Sequence, residues 1–244
     1  MRFITISILT TLLLSCNNPK HDKGDATVTP IDTIKSAMTD TTKRDITEQI
    51  DVYIKSGFYD KEDIFTHVEE YLYKIPFDHD WTKQQIDKAY SDRLKEQKTW
   101  PTVTDFDKLV QAFDKLNSSG IVALHNAGMT RQDGEGDSQE IHEHLFKTGI
   151  KTKGFCYYHW QDIERVVEDS HLYIGFGDFN NNDKDALEIG KQVAATLEER
   201  GFKLNWNKTV ATRILITSIM WQKRFGNDNC SNEKAINLLS NLKN

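Results

Sequence analysis

Cysteine and proline are scarce in this chain of 244 residues: three of the first and four of the second, beside thirteen glycines. Cys16, Cys156 and Cys230 are too few and too scattered for a disulfide scaffold or a four-cysteine zinc site. The low proline and glycine content excludes a collagen-like or low-complexity chain and leaves an ordinary globular composition. Positive charge is also in short supply. Acidic side chains outnumber basic ones by 37 to 31, a net charge of −6. That balance excludes a protein that lives by binding nucleic-acid phosphate. No apolar run approaches ~20 residues, so no helical membrane span is expected. A Gly-x-Ser-x-Gly nucleophile elbow is missing. Trp81, Trp100, Trp160, Trp206 and Trp221 are spread along the chain, which suits core contacts better than a base-stacking platform.

What is present begins at the N-terminus. Arg2 precedes an apolar run from Phe3 to Leu14, followed by Ser15 and Cys16. A basic start, a short apolar stretch and a small residue before the cut describe a secretory signal. Leu13-Leu14-Ser15-Cys16 resembles the lipobox of bacterial lipoproteins, which implies acylation of the Cys16 thiol after removal of residues 1–15. Each buried CH₂ of an acyl chain contributes roughly 0.8 kcal/mol of anchoring. Removing Arg2 with the signal shifts the net charge from −6 to −7. Residues 16–43 are poor in apolar side chains and read as a disordered tether. Such a linker has a typical end-to-end distance of about 30 Å.

From residue 44 the sequence turns periodic. Ile46, Ile50, Tyr53 and Ile54 share a helical face that stops at Gly57; Ile64, Val68, Tyr71 and Leu72 define a second helix opened by Asp60 and Asp63. A charged third helix covers about 83–97. Residues 44–100 thus form an all-helical unit bracketed by Pro76 and Pro101. In 101–224, helices and strands alternate: a helix capped by Thr104, a strand at 121–124, a helix at 138–147 and a strand at 155–158. They continue with a helix at 161–168, a strand at 172–176, a helix at 185–200 and strands at 203–206 and 214–219. This order predicts an α/β fold, an α/β sandwich on a largely parallel sheet of about five strands, with an antiparallel last pair as an option. Residues 225–244 read as a partly helical tail.

Several strings run in a specific order: Ser56-Gly57-Phe58-Tyr59-Asp60, Glu96-Gln97-Lys98-Thr99-Trp100-Pro101, Thr104-Asp105, Gly120-Ile121-Val122-Ala123 and His125-Asn126-Ala127-Gly128. Tyr158-His159 with Gln161, Asp162 and Glu164 follows, then Leu172-Tyr173 with Gly175 and Gly177, and Trp221. Together they resemble a bacterial domain family of unknown function across about residues 46–224. The resemblance implies no activity. Some members of that family have a Cys-rich segment after the first strand; this chain has Thr130-Arg131-Gln132-Asp133-Gly134 there, so the resemblance implies no metal or redox role for it.

In a parallel sheet, ligands bind beyond the carboxyl ends of the strands. Those ends offer His125, Asn126, Thr130, Arg131 and Asp133 after the first strand. The second gives His159, Gln161 and Asp162, and the third gives Asp178 and Asn180. Converging on one cleft, His125 and His159 with Asp162 would form an acid/base site; otherwise these residues cap helices and bind water. Metal and cofactor signatures are incomplete. His142 and His144 lie two apart on a helix and point roughly 200° away from each other. Gly175-Phe176-Gly177 lacks the third glycine of a dinucleotide loop and is followed by Asp178, Asp183 and Asp185. The stretch from Asp178 to Asp183 starts like a calcium loop, but Ile189 stands where the bidentate Glu belongs. Gly134 to Asp137 reads as a flexible acidic loop, a solvated connection rather than the alternative of a lid over the cleft. Cys156 reads as core, and an exported protein could pair it with Cys230.

The sequence therefore predicts an exported protein, lipid-anchored to an envelope membrane of undetermined leaflet. It needs no cofactor or metal and does not bind nucleic acid. The expected role is a non-catalytic module for a protein or small polar ligand, with overall acidity favouring basic partners. The alternative is an envelope hydrolase using His125 and His159.

Overall fold

The Thr39 hydroxyl accepts a hydrogen bond from the Thr42 amide at 3.1 Å and starts helix α1 at Asp40. The computed structural model describes residues 38–243. The expected signal peptide, Cys16 and most of the expected tether lie outside the described residues. α1 (Asp40–Ser56) takes in four residues assigned above to the tether, because Thr39 supplies a cap that composition alone does not reveal. It buries Ile46, Ile50, Tyr53 and Ile54 and ends at Gly57, whose φ of 76° suits glycine. α2 (Lys61–Tyr71) is capped by Asp60, α3 (His79–Gln97) by Asp78, and α4 (Asp105–Ser118) by the reciprocal pair Thr104 and Asp107.

The last carbonyls of a helix have no partner within it. At the end of α1 three of them are taken from far along the chain. Arg93 Nη2 donates to the Lys55 carbonyl at 3.2 Å, Trp221 Nε1 to that of Ser56 at 3.0 Å, and Lys223 Nζ to that of Gly57 at 2.8 Å. A Cβ on Gly57 would stand 2.6 Å from the Lys223 carbonyl oxygen, so the segment can close on α1 only over glycine. Residues 38–243 accordingly form one unit, with the helical part and the α/β part packed together.

The second part comprises β1 (Ile121–Leu124), α5 (Arg131–Lys147), β2 (Gly154–Tyr157), α6 (Trp160–Asp169), β3 (Leu172–Gly177), α7 (Asp183–Glu199), β4 (Lys203–Asn205), β5 (Ile214–Thr217) and α8 (Asn232–Ser240). The α/β class holds, and the five strands lie in the order β1-β2-β3-β5-β4. The expectation of a largely parallel sheet does not hold. β1 and β2 are parallel, whereas β2/β3, β3/β5 and β5/β4 are antiparallel. Alternation of helices and strands carries no strand direction. The left-handed stop of α6 at Ser170, φ 64°, turns the chain back into the sheet at the end where β2 left it. A second difference concerns α5, which starts at Arg131 and so includes the glycines expected to form a loop. Thr130 and Asp133 cap it, and Gly134 leaves room for the Tyr157 ring, 2.4 Å from where a Cβ would be.

Strand alternation sorts the core. Ile121, Ala123, Cys156, Tyr158, Ile174, Ile214 and Ile216 join a large apolar cluster with α1, α4, α6 and α7. Val122, Leu124 and Tyr157 face a smaller one completed by Ile141 and Leu145 of α5 and by Ala235 and Leu239 of α8. The free edge of β1 is closed by a side chain. Asn117 Nδ2 donates to the Ala123 carbonyl at 3.0 Å, and its Oδ1 accepts from the Ala123 amide at 2.9 Å. One buried amide thus does what a sixth strand would do. Asn117→Ala leaves both backbone groups without partners, and the expected loss is about 2–4 kcal/mol. Urea denaturation measures it; a midpoint equal to that of the native chain would contradict the role.

Candidate functional site

His125 follows β1 and lies in the large cluster. Its ring stacks on Phe113 at 4.4 Å between centroids and also meets Phe106, and Nδ1 is 2.9 Å from the Tyr158 hydroxyl. Burial, aided by the positive charges of Lys234 and Lys223, pushes its pKa down to about 3. At neutral pH it is an uncharged aromatic member of the core.

His159 follows β2 and N-caps α6. Its Nε2 lies 3.1 Å from Asp162 Oδ2 and 3.3 Å from Arg213 Nη1. Desolvation lowers its pKa against the opposing pull of Asp162. The Asp162 carboxylate is wholly buried, and Arg213 Nη1 donates to both of its oxygens at 2.9 Å. Arg165 Nη1 adds a longer contact at 3.4 Å. Both guanidinium groups flank the Tyr173 ring, at 4.8 Å for Arg213 and 5.2 Å for Arg165. His125 and His159 share no partner: one is held by Phe113 and Tyr158, the other by Asp162 and Arg213.

Beside this polar centre is a recess of about 20 Å³ lined by Arg131, Glu135, Tyr157, Gly175 and Arg213, with Val210 to Thr212 forming a wall. Arg131 Nε pairs with Glu135 Oε1 at 2.9 Å, and the Tyr157 hydroxyl donates to the Arg131 carbonyl at 3.1 Å. The remaining candidates do local work. Asp133 Oδ2 accepts from the amides of Met129 and Thr130 and from the Thr130 hydroxyl, so both Thr130 and Asp133 are spent on starting α5. Asn126, in the left-handed region at φ 48°, hydrogen-bonds Tyr59 through its side chain. Gln161 is exposed on α6. Asp178 accepts from the amides of Asn180 and Asn182 and shapes the turn before α7. Antiparallel β3 carries Asp178 to the end of the sheet opposite His159, since Gly177 pairs with Phe155 near the start of β2.

His142 bonds Thr152 and stacks on Phe179, while His144 is exposed. Among the described residues no three His, Cys, Asp or Glu side chains gather as a metal set, and no helix is long and apolar enough to cross a membrane. Cys156 and Cys230 are free thiols, so the disulfide left open by the sequence is not formed. The sequence reading missed Arg213, Arg165 and Tyr157. A strand-flanking arginine between Thr212 and Ile214 carries no motif that would single it out.

Residues 39–225 match a family model described as Domain of unknown function (DUF6891). The chain belongs to that family. No curated protein and no solved structure matches it. In this DUF6891 chain, several strings quoted for the resemblance are joints of the fold. Ser56 and Gly57 offer carbonyls to Trp221 and Lys223. Glu96 pairs with Arg93 at 2.8 Å, and the Trp100 ring lies 4.5 Å from the Arg93 guanidinium. Gly128 accepts from the Trp160 amide and makes room for Asp133, 2.2 Å from where its Cβ would be.

The burial of His125 has a consequence for acid stability. The folded state holds the ring neutral down to about pH 3, whereas the unfolded chain protonates it near 6.5. Acid therefore favours the unfolded state: stability falls as the pH drops from 6.5 towards 3, by on the order of 5 kcal/mol in all. His159, also depressed, acts in the same direction. His125→Phe should be less stable at pH 7, because Tyr158 loses its partner, and should show a flatter loss between pH 6.5 and 3. Denaturant midpoints across that range measure both slopes; equal slopes would refute the assignment.

Proposed function

We propose that this DUF6891 protein is an exported lipoprotein, acylated at Cys16, whose folded domain is a non-catalytic binding module held beside an envelope membrane. The observation that carries the binding-module reading is that its two histidines are engaged by different partners. General acid/base work needs imidazoles that reach a common substrate and exchange protons near neutral pH. His125 is enclosed by Phe106, Phe113 and Tyr158 with its pKa pushed to about 3. His159 is buried and engaged with Asp162 and Arg213. The hydrolase alternative asks these two rings to act as a pair, and their surroundings supply no shared acceptor. What the domain offers instead is positioned polar groups around the Arg131–Arg213 recess, suited to holding a small polar group or a protein side chain.

Anchoring rests on the residues before the fold. Leu13-Leu14-Ser15-Cys16 supports acylation, and residues 16–39 separate the modified cysteine from the start of α1. The full chain expressed in a bacterium fed an alkyne analogue of palmitate should become labelled and enter the detergent phase on cloud-point extraction. Cys16→Ala should lose both properties and leave the fold unchanged. Label retained at the wild-type level in Cys16→Ala would overturn the lipoprotein reading.

A further inference from the structure

The two faces of the sheet are covered unequally. On the face shared by Val122, Leu124 and Tyr157, α5 and α8 pack against β1 and α5 also reaches β2. Tyr173, Arg213, Leu215, Thr217, Lys203 and Asn205 carry that face across β3, β5 and β4, and all six retain solvent exposure. The recess lies where the covered half meets this open half.

Its origin is a missing side chain. Tyr157 pairs with Gly175 across β2/β3. The β3/β5 register, Ile174 opposite Ile214, places Arg213 opposite Gly175 when carried one residue further. In the row Tyr157, Gly175, Arg213 the middle position has no Cβ; one there would stand 2.8 Å from Tyr157 Cζ. The gap holds about 20 Å³, enough for one water-sized polar group. That admits the tip of a carboxylate more readily than a four-oxygen phosphate.

The charges around the gap favour an anion. Arg131 and Arg213 line the gap against one carboxylate, Glu135, and Arg165 joins Arg213 at Asp162. Asp162 is fully buried and covered by Arg213. Arg213 uses Nη1 for that contact, and Nε and Nη2 have no acceptor among the described residues. Arg131 commits Nε to Glu135 and a further N–H to the Tyr157 hydroxyl, which leaves three of its five donors. The Tyr157 hydroxyl donates to the Arg131 carbonyl at 3.1 Å and reaches Glu135 Oε1 at 3.4 Å, so the donors open to a ligand are guanidinium nitrogens on two sides of one gap. Two guanidinium groups held in place by buried or paired carboxylates suit a planar carboxylate. Lys203 on β4 extends the positive side of the open face.

We infer that the Arg131–Arg213 recess is a carboxylate-binding subsite, and that the open face of β3, β5 and β4 docks an acidic polypeptide whose Asp or Glu side chain enters it. This rests on the binding-module reading and names the partner's chemistry. The test uses the full chain and a fluorescent hexaglutamate peptide read by anisotropy, with hexaglutamine as the uncharged control. Hexaglutamate should bind, hexaglutamine should not, and sodium acetate should displace the bound peptide better than inorganic phosphate at equal ionic strength. Arg131→Gln, an exposed change that leaves Asp162 paired, should weaken binding. Arg213→Gln should weaken it at least about tenfold, the loss of one charge-assisted hydrogen bond. Lys95→Gln, on helix α3, should leave it unchanged.

Equal binding of the two peptides, or hexaglutamate affinity unmoved by both arginine variants, overturns the inference. So does stronger displacement by phosphate, which would make the site a phosphate site. Those outcomes leave the palmitate labelling at Cys16 untouched, so failure here is distinguishable from failure of the lipoprotein reading.

Discussion

The fold depends on how the C-terminus of α1 is closed. A helix end buried against protein must find donors for its last carbonyls or lose the equivalent of several hydrogen bonds. Here the donors come from Arg93, Trp221 and Lys223, which lie 38, 165 and 166 residues from their acceptors. One helix end therefore ties α3 and the segment after β5 to the beginning of the described chain. Lys223 is itself buried, with Phe58 at 4.7 Å and Phe106 at 5.7 Å, and desolvation lowers its pKa. Carbonyl oxygens of Gly57 and Asn227 and the two ring faces together hold this cation. The helical unit cannot detach from the α/β part without exposing or orphaning all of these groups.

That constraint changes the meaning of the short strings that look most distinctive. Ser56-Gly57, Glu96, Trp100 and Trp221 are polar or aromatic residues in a fixed order, the pattern usually associated with a site. Their partners are backbone carbonyls, Arg93 and each other's neighbourhoods. His125 belongs to the same class: its imidazole packs as a ring with one hydrogen bond to Tyr158. Specific residues at specific positions can thus be demanded by a joint as stringently as by a reaction. Arg131 and Arg213, which keep guanidinium donors at the recess, lie outside the long-range closure of α1.

Local signals were legible where a single element contains its own explanation. The helix expected at 185–200 is α7 to within two residues, Thr104 announces α4, and the apolar run at 121–124 gives β1 without adjustment. What escaped depends on contacts across the chain. The start of α5 contains Gly134 and Gly136, which read as a loop until the Tyr157 ring explains the first of them. Strand direction is set by the turn at Ser170 and by pairing, neither of which periodicity encodes. The error propagated, because reversing β3 moves Asp178 away from His159 and removes the third strand's share of the expected cleft. Arg213 meets Asp162 across 51 residues, a separation at which no spacing rule operates.

Net charge illustrates the same limit at the scale of a surface. A chain at −6 suggests basic partners when its charges are treated as one sum. Screening in physiological salt acts over about 8 Å, so a docking partner responds to the charges near its own contact. Among the residues lining the recess, Arg131 and Arg213 stand against Glu135. Asp162 is also buried, so its effect is spent on orienting Arg213 and holding His159. The acidic surplus elsewhere then has a physical consequence: it repels an acidic polypeptide from most of the molecule and leaves the open sheet face as the favourable approach. Overall acidity and a local cationic recess are therefore complementary, since the first narrows where the second can be used.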